Sequence, residues 1–273
     1  MKKIVWVCTA LLLILVVAGC GKDAAGSNEE TKKIQFGATV GPYSDMVTKA
    51  IAPLLEEKGY EVANQEFTDY VQPNKALHNG DLDANLFQHK IYMEAFAKEN
   101  NMELSEVIIV PTAPMGLYSE KYSSIDEIEE GSQIAIANDP TNLARTLGML
   151  EDEGLITISD KVDALTASVK DIIGNPKNLK FVEVEAAQLP RLVESEDLSA
   201  VPGNYALAAE MDLLDALALE DMPDDYRNRV VINTKDVDKQ FAKDIKEVIE
   251  SEDFEKIIDE KFQGFGKPKW MKK

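Results

Sequence analysis

Beyond residue 33 the hydrophobic positions switch repeatedly between a period of two in short runs and a period of three to four in longer ones, an order that predicts an α/β fold. Residues 34–40 read as a strand, and Gly41-Pro42 punctuates it ahead of a helix over 43–58 that Gly59 closes. Pro53 lies inside that helix and should kink it, because proline has no N–H for the ladder. A second strand follows at 61–67, and 92–98 reads as another helix.

Between them, residues 67–89 place an aromatic cluster, a short helix and a strand in close succession. Gln72-Pro73-Asn74 opens the helix and Asn79-Gly80 closes it, so Tyr70 sits on a loop near the strand. Leu82, Ala84 and Leu86 alternate with Asp83, Asn85 and Phe87, which projects Phe87 and His89 to one side at the C-terminal strand end. Ligands of open α/β sheets bind at that end. The same three side chains would serve equally as core and rim residues.

In the second half, Val107 and its β-branched neighbours precede Pro111 and Pro114, and an extended pattern resumes at 115–118, which reads as passage to another lobe. Gln133–Ala137 is a strand turning into a helix, with Asp139 as N-cap and Pro140 at the first helical position. Leu143, Leu147 and Leu150 form its apolar stripe, while Asn142 and Arg145 share a different face. The chain has only four arginines, at 145, 191, 227 and 229, against 25 lysines. A guanidinium just inside a capped helix is a rigid fork for a carboxylate, so Arg145 is the candidate clamp; an ion pair with one of the many acids is the alternative.

Further on, 168–173 reads as a short helix, Lys180–Val184 as a strand, 186–194 as a helix bent at Pro190, and Leu198–Val201 as a buried strand. Pro202-Gly203-Asn204-Tyr205 then reads as a turn, where Gly203 permits close backbone approach and Asn204 offers a donor and an acceptor to a polar ligand. Residues 226–228 begin the return to the first lobe, 229–233 form a strand, and two helices over 237–262 finish the chain, packed down by Phe265 and Trp270. The expected architecture is a clamshell of two lobes, 34–117 plus 228–273 and 118–227, with the ligand cleft between them.

The amino terminus changes the picture. Lys2 and Lys3 precede an apolar run over 4–18, too short to span a bilayer comfortably, which makes residues 1–19 an export signal. Val17-Ala18-Gly19-Cys20 has the form of a lipobox, so Cys20 is the expected lipidation site and residues 20–33 a flexible tether. With Cys8 inside the signal, the mature chain keeps only Cys20, and no disulfide, catalytic thiol or cysteine metal site is expected. Loss of Lys2 and Lys3 leaves 27 basic residues against 49 acidic ones, a formal charge of −22 that repels nucleic acid and anionic lipid headgroups. Membrane attachment would therefore rest on the lipid itself.

DYVQPN (residues 69–74), LDAN (82–85) and FQH (87–89) resemble the methionine-binding lipoproteins of bacterial ABC importers, the NlpA lipoprotein family. The resemblance continues through APMGLYS (113–119), NDPTNLAR (138–145), NPKNL (175–179), EAAQLPR (185–191) and GNYA (203–206). It implies a protein of the periplasmic-binding type on the extracytoplasmic face of the membrane, without enzymatic activity or cofactor, that hands a small molecule to a permease and ATPase pair. In that family an arginine holds the amino-acid carboxylate, asparagines bind carboxylate and ammonium, and aromatic rings with a histidine enclose the thioether. Matching positions are Arg145, Asn204 and Asn228 for the polar end and Tyr70, Phe87 and His89 for the other, and Asn142, on the Arg145 face of its helix, completes the candidate ligand-binding set. Ala137 replaces a frequent proline, Val201-Pro202 replaces an asparagine-containing lead, and Arg227 and Arg229 flank Asn228 unusually, which leaves open an altered ammonium side, another amino acid or a methionine-containing dipeptide as ligand. A metal-binding reading has only His78 and His89 to draw on, and a hydrolase reading finds no GxSxG or HExxH; a purely structural lipoprotein is the third alternative.

Overall fold

The computed structural model describes residues 32–272, so the export signal, Cys20 and most of the tether lie outside the described residues. The chain runs β1 (Lys32–Thr39), α1 (Pro42–Met46), a π-helical turn (Val47–Ile51), α2 (Ala52–Glu56), β2 (Tyr60–Phe67), α3 (Gln72–Asn79), β3 (Ala84–His89), α4 (Lys90–Asn100) and β4 (Leu104–Ile109). It continues through β5 (Gly116–Tyr118), β6 (Gln133–Ala137), α5 (Pro140–Asp152), β7 (Thr157–Ile158), β8 (Ile172–Gly174), β9 (Lys180–Val184), α6 (Leu189–Leu192), β10 (Leu198–Val201), α7 (Gly203–Ala208) and β11 (Ala218–Leu219). β12 (Asn228–Asn233), α8 (Gln240–Ile249) and α9 (Glu252–Lys261) complete it.

Two five-stranded sheets result, ordered β2-β1-β3-β12-β4 and β11-β5-β10-β6-β9. In the first, β1 is parallel to β2 and β3, and β12 enters from the far end of the sequence antiparallel to β3 and β4. All six residues of both β3 and β12 are buried, so each reads as a continuous strand covered on both faces rather than one face wet. Phe36, Met46, Ile51, Leu86, Val230, Ile245 and Phe254 belong to one core around this sheet. Leu117, Ile134, Leu143, Leu147 and Leu198 belong to another around the second sheet, so each sheet carries its own hydrophobic centre.

The chain passes between the sheets at residues 110–115 and 220–227. β5 pairs along its whole length with β10 or β11, which moves the first passage ahead of the expected boundary after residue 117. Lys32 and Lys33 are likewise strand residues paired with Tyr60 and Glu61 rather than tether.

Other departures have local causes. Pro53 does not sit inside a continuous α-helix. The ladder widens one turn earlier, where the Ala52 N–H reaches Val47 O, and this relieves the crowding that a proline ring imposes on the preceding turn. Residues 168–173 divide into a 3-10 turn capped by Ser168 and the strand β8. Gly203-Asn204-Tyr205 opens a helix, α7, not a turn. Gly203 nonetheless marks a close approach: a Cβ there would lie 2.3 Å from Pro114 O and 2.7 Å from Ala113 Cβ. Trp270 is partly exposed and donates its indole N–H to Ile109 O, while Phe265 packs edge-on against Phe262 and Tyr43 and Met271 fills the core.

Candidate functional site

β3 ends at His89, which turns the chain into α4 as its N-cap and accepts the Tyr92 N–H on Nδ1. With Nδ1 an acceptor, the proton resides on Nε2, which donates to Asn142 Oδ1 at 3.3 Å. Burial, reinforced by the Arg145 charge, holds the His89 pKa well below its ordinary value, so the ring is neutral and both nitrogens are engaged.

One residue of β3 breaks the alternation. Arg229 pairs with Gln88 and Val230 with Leu86, which leaves Phe87 as an extra residue in a bulge. Phe87, Gln88 and His89 consequently all line the same cavity, an outcome that strict alternation forbids. The freed Phe87 carbonyl accepts Asn228 Nδ2 at 2.8 Å, and the Asn228 N–H goes to Thr112 Oγ1. Beneath the bulge, Asn74, Asn85 and Gln88 form a buried amide network that ties α3 to β3.

Tyr70 comes off the loop before α3, held there because Asp69 accepts the N–H groups of Val71 and Gln72. Its ring stacks on Phe87 at 5.9 Å between centroids and lies 5.0 Å from that of Tyr205, and Tyr92 stands edge-on to Tyr70 and Phe87. Burial raises the phenol pKa of Tyr70 well above its usual value, so the hydroxyl is a donor, directed at Asn204 Oδ1 at 2.7 Å. Asn204 Nδ2 is buried and has no hydrogen-bond partner. An unpaired buried amide of this kind costs about 1–3 kcal/mol unless something else accepts it.

Arg145 sits in the second turn of α5, buried, with the Tyr226 ring 5.3 Å from Cζ. Its Nε and Nη2 donate to the two carboxylate oxygens of Glu220, whose Oε1 also accepts the Met115 N–H. Burial alone would lower its pKa; the Glu220 charge more than offsets this, and the guanidinium stays ionised. Asn142, three residues earlier, directs Nδ2 to the Asp139 carboxylate and Oδ1 to His89.

The structure therefore brings Tyr70, Phe87, His89, Asn142, Arg145, Asn204 and Asn228 to one small cavity between the two sheets, with about 20 Å³ of free room. Tyr43, Gln88, Tyr92, Thr112 and Ala113 also line it and were not singled out from the sequence. Tyr92 carried a readable signal, since it lies three residues after His89 on the helix that His89 caps. Tyr70 to Asn204, His89 to Asn142 and Tyr205 to Thr68 O are hydrogen bonds that cross the cleft. Arg227 and Arg229 do not reach the cavity: Arg227 binds Asp224, Gly266 O and Met222 O, and Arg229 is buried against Glu106 with bonds to Asp224 O and Arg227 O. Among the described residues no three His, Cys, Asp or Glu side chains converge as metal ligands would.

The cavity wall thus offers a guanidinium edge, an unpaired amide donor and aromatic rings. The chain is 36% identical over 264 residues to the D-methionine-binding lipoprotein MetQ of Salmonella typhi, covering 96% of each chain. It is 35% identical over 262 residues to the methionine-binding lipoprotein MetQ of Bacillus subtilis, covering 93% of this chain and 95% of the relative. A nutrient binding protein from Burkholderia cenocepacia, solved bound to methionine, superposes with a TM-score of 0.81 at 36% identity over 85% of this chain and 97% of that one. The two-lobed α/β clamshell is the fold of these binding proteins. The family model for the NlpA lipoprotein matches residues 34–270, and the chain belongs to the NlpA lipoprotein family.

Proposed function

We propose that this chain is the substrate-binding protein of an ABC importer, anchored on the extracytoplasmic face of the membrane through lipid on Cys20, and that it binds methionine in the cavity between lobes. The observation that carries the reading is the buried, unpartnered Asn204 Nδ2 in a cavity that Arg145, Tyr70, Phe87 and Tyr92 also line. A free amino acid suits this set of groups once the lobes part to admit it. Its carboxylate accepts from Arg145 and Asn204, and its ammonium donates to Asn228 Oδ1. The thioether lies on the rings and on neutral His89, each sulfur–ring contact contributing about 0.3–1.5 kcal/mol. Asn142 acts at one remove, holding His89 in its donor tautomer. Closure of residues 34–115 plus 228–273 on 116–227 then follows from contacts made by both lobes. The delivered ligand passes to a permease and ATPase pair.

Mass spectrometry of the small molecule released by denaturing freshly purified protein, followed by calorimetry against both methionine enantiomers and other amino acids, tests this. The expected result is one small zwitterion, methionine. Absence of binding to any amino acid or short peptide contradicts the reading, and turnover of an ester or peptide panel would replace it with a hydrolase.

A further inference from the structure

We infer that Glu220 is a specificity-determining partner of Arg145, which fixes the guanidinium edge presented to the ligand and restricts the cavity to ligands without net charge. The inference rests on the amino-acid reading above. Glu220 occupies Nε and one N–H of Nη2 on Arg145. A guanidinium carries five N–H groups in a planar fork, so the Nη1 and Nη2 end remains for a second carboxylate. Arg145 lines the cavity and also an open depression on its other side, whereas Glu220 lines only that depression. Glu220 is itself tethered: Oε1 accepts the Met115 N–H and its own N–H donates to Met115 O. A ligand carboxylate therefore adds to the free end of the fork and does not displace Glu220.

The charge balance sets the selectivity. Both side chains of the pair are 6% exposed, and together they are neutral. His89, Asn142, Asn204 and Asn228 add no charge to the cavity wall; Arg229, whose charge reaches His89, is paired with Glu106, and Asp139 is turned to Asn142 and Thr141 and lines a different depression. A zwitterion leaves this balance at zero. An N-acylated amino acid brings an uncompensated negative charge into a buried place beside the Glu220 carboxylate, which low dielectric makes unfavourable. Without the Glu220 charge the cavity becomes net positive and the penalty on such anions disappears.

The test is calorimetry of wild-type protein and Glu220→Gln with L-methionine and with N-acetyl-L-methionine. Wild type should prefer the zwitterion, and in Glu220→Gln the ratio of the two dissociation constants should fall by at least about tenfold. A purely structural Glu220 would weaken both ligands equally, and an unchanged ratio overturns the inference alone. Failure of wild type to bind any amino acid overturns the amino-acid reading and this inference together. The wild-type protein supplies a second readout that does not depend on a variant folding: the Arg145 Nε–H resonance, assigned by through-bond and through-space correlations within the wild-type protein. It should keep its chemical shift and slow exchange when methionine is added. A shift to that of a solvent-exposed arginine would mean that the ligand displaces Glu220 and would overturn the proposal.

Discussion

Arg145→Met removes a buried cation that faces the cavity on one edge and Glu220 on the other, so two losses of different size follow. The Glu220 carboxylate, 6% exposed, is left without a counter-charge, and breaking a buried pair from one side costs about 3–5 kcal/mol of stability. The ligand carboxylate loses a charge-assisted hydrogen bond, about 1.5–3 kcal/mol, or roughly 10- to 150-fold in Kd. The first loss is large against a typical total stability of about 5–15 kcal/mol, so the single variant mixes folding with binding. Arg145→Met combined with Glu220→Gln separates them. Removing both charges leaves no unpaired ion, and neutral replacement of a buried pair is often without net cost, so most of the stability returns while the affinity loss persists. Urea unfolding measures the first quantity and calorimetry with L-methionine the second. If the double variant binds methionine within about threefold of wild type, Arg145 is a structural ion-pair partner and the clamp is wrong.

Three further outcomes are expected. Gly203→Ala should lower stability by about 1–3 kcal/mol and weaken methionine binding, read by thermal melts and calorimetry, because the new Cβ meets the Pro114 carbonyl at 2.3 Å and pushes Asn204 off its position. His89 has a folded pKa below that of the unfolded chain, about 6.5, so as pH falls below that value the unfolded state takes up a proton the native state refuses. Stability should then drop by up to about 1.4 kcal/mol per pH unit until the folded pKa is reached, and His89→Gln should lack this component in denaturant melts over the same range; equal slopes contradict it. Arg229→Met should cost about 1–3 kcal/mol through its lost bonds to Asp224 O and Arg227 O, yet leave methionine affinity unchanged in calorimetry, because Glu106 on its other side is 45% exposed and can hydrate.

Where a strand is a short run rich in apolar and β-branched residues between turns, its limits could be read from sequence: β6, β9 and β10 begin and end where the pattern puts them. The start of α5 was equally readable, since Asp139 and Pro140 act through local chemistry, the Asp139 carboxylate accepting the Asn142 N–H. The bulge at Phe87 was not, because its cause is pairing with β12, and the Asn228 amide that uses the freed carbonyl lies 141 residues away. Glu220 was hidden among 49 acids, and only the fold selects the one that meets Arg145. Tyr43 and Tyr92 sit on helices where an aromatic reads as an ordinary packing residue, and their place in the cavity wall follows from how those helices meet the strand ends. Arg227 and Arg229 looked like additions to the site beside Asn228, but each finds its partners in carbonyls and acids of the return crossing. Asn204 belongs to a helix and not a turn, and its amide is nonetheless the unpaired donor of the cavity.

The central claim is that a single small amino acid lies with its carboxylate at Arg145 and its sulfur among the rings of Tyr70, Phe87 and Tyr92. A crystal structure of the protein with selenomethionine as ligand, recorded at the selenium edge, measures this directly. One anomalous peak should lie among those rings and next to His89, with the ligand carboxylate on the Nη1 side of Arg145. A peak elsewhere, or a ligand whose carboxylate points to the rings, would contradict the account.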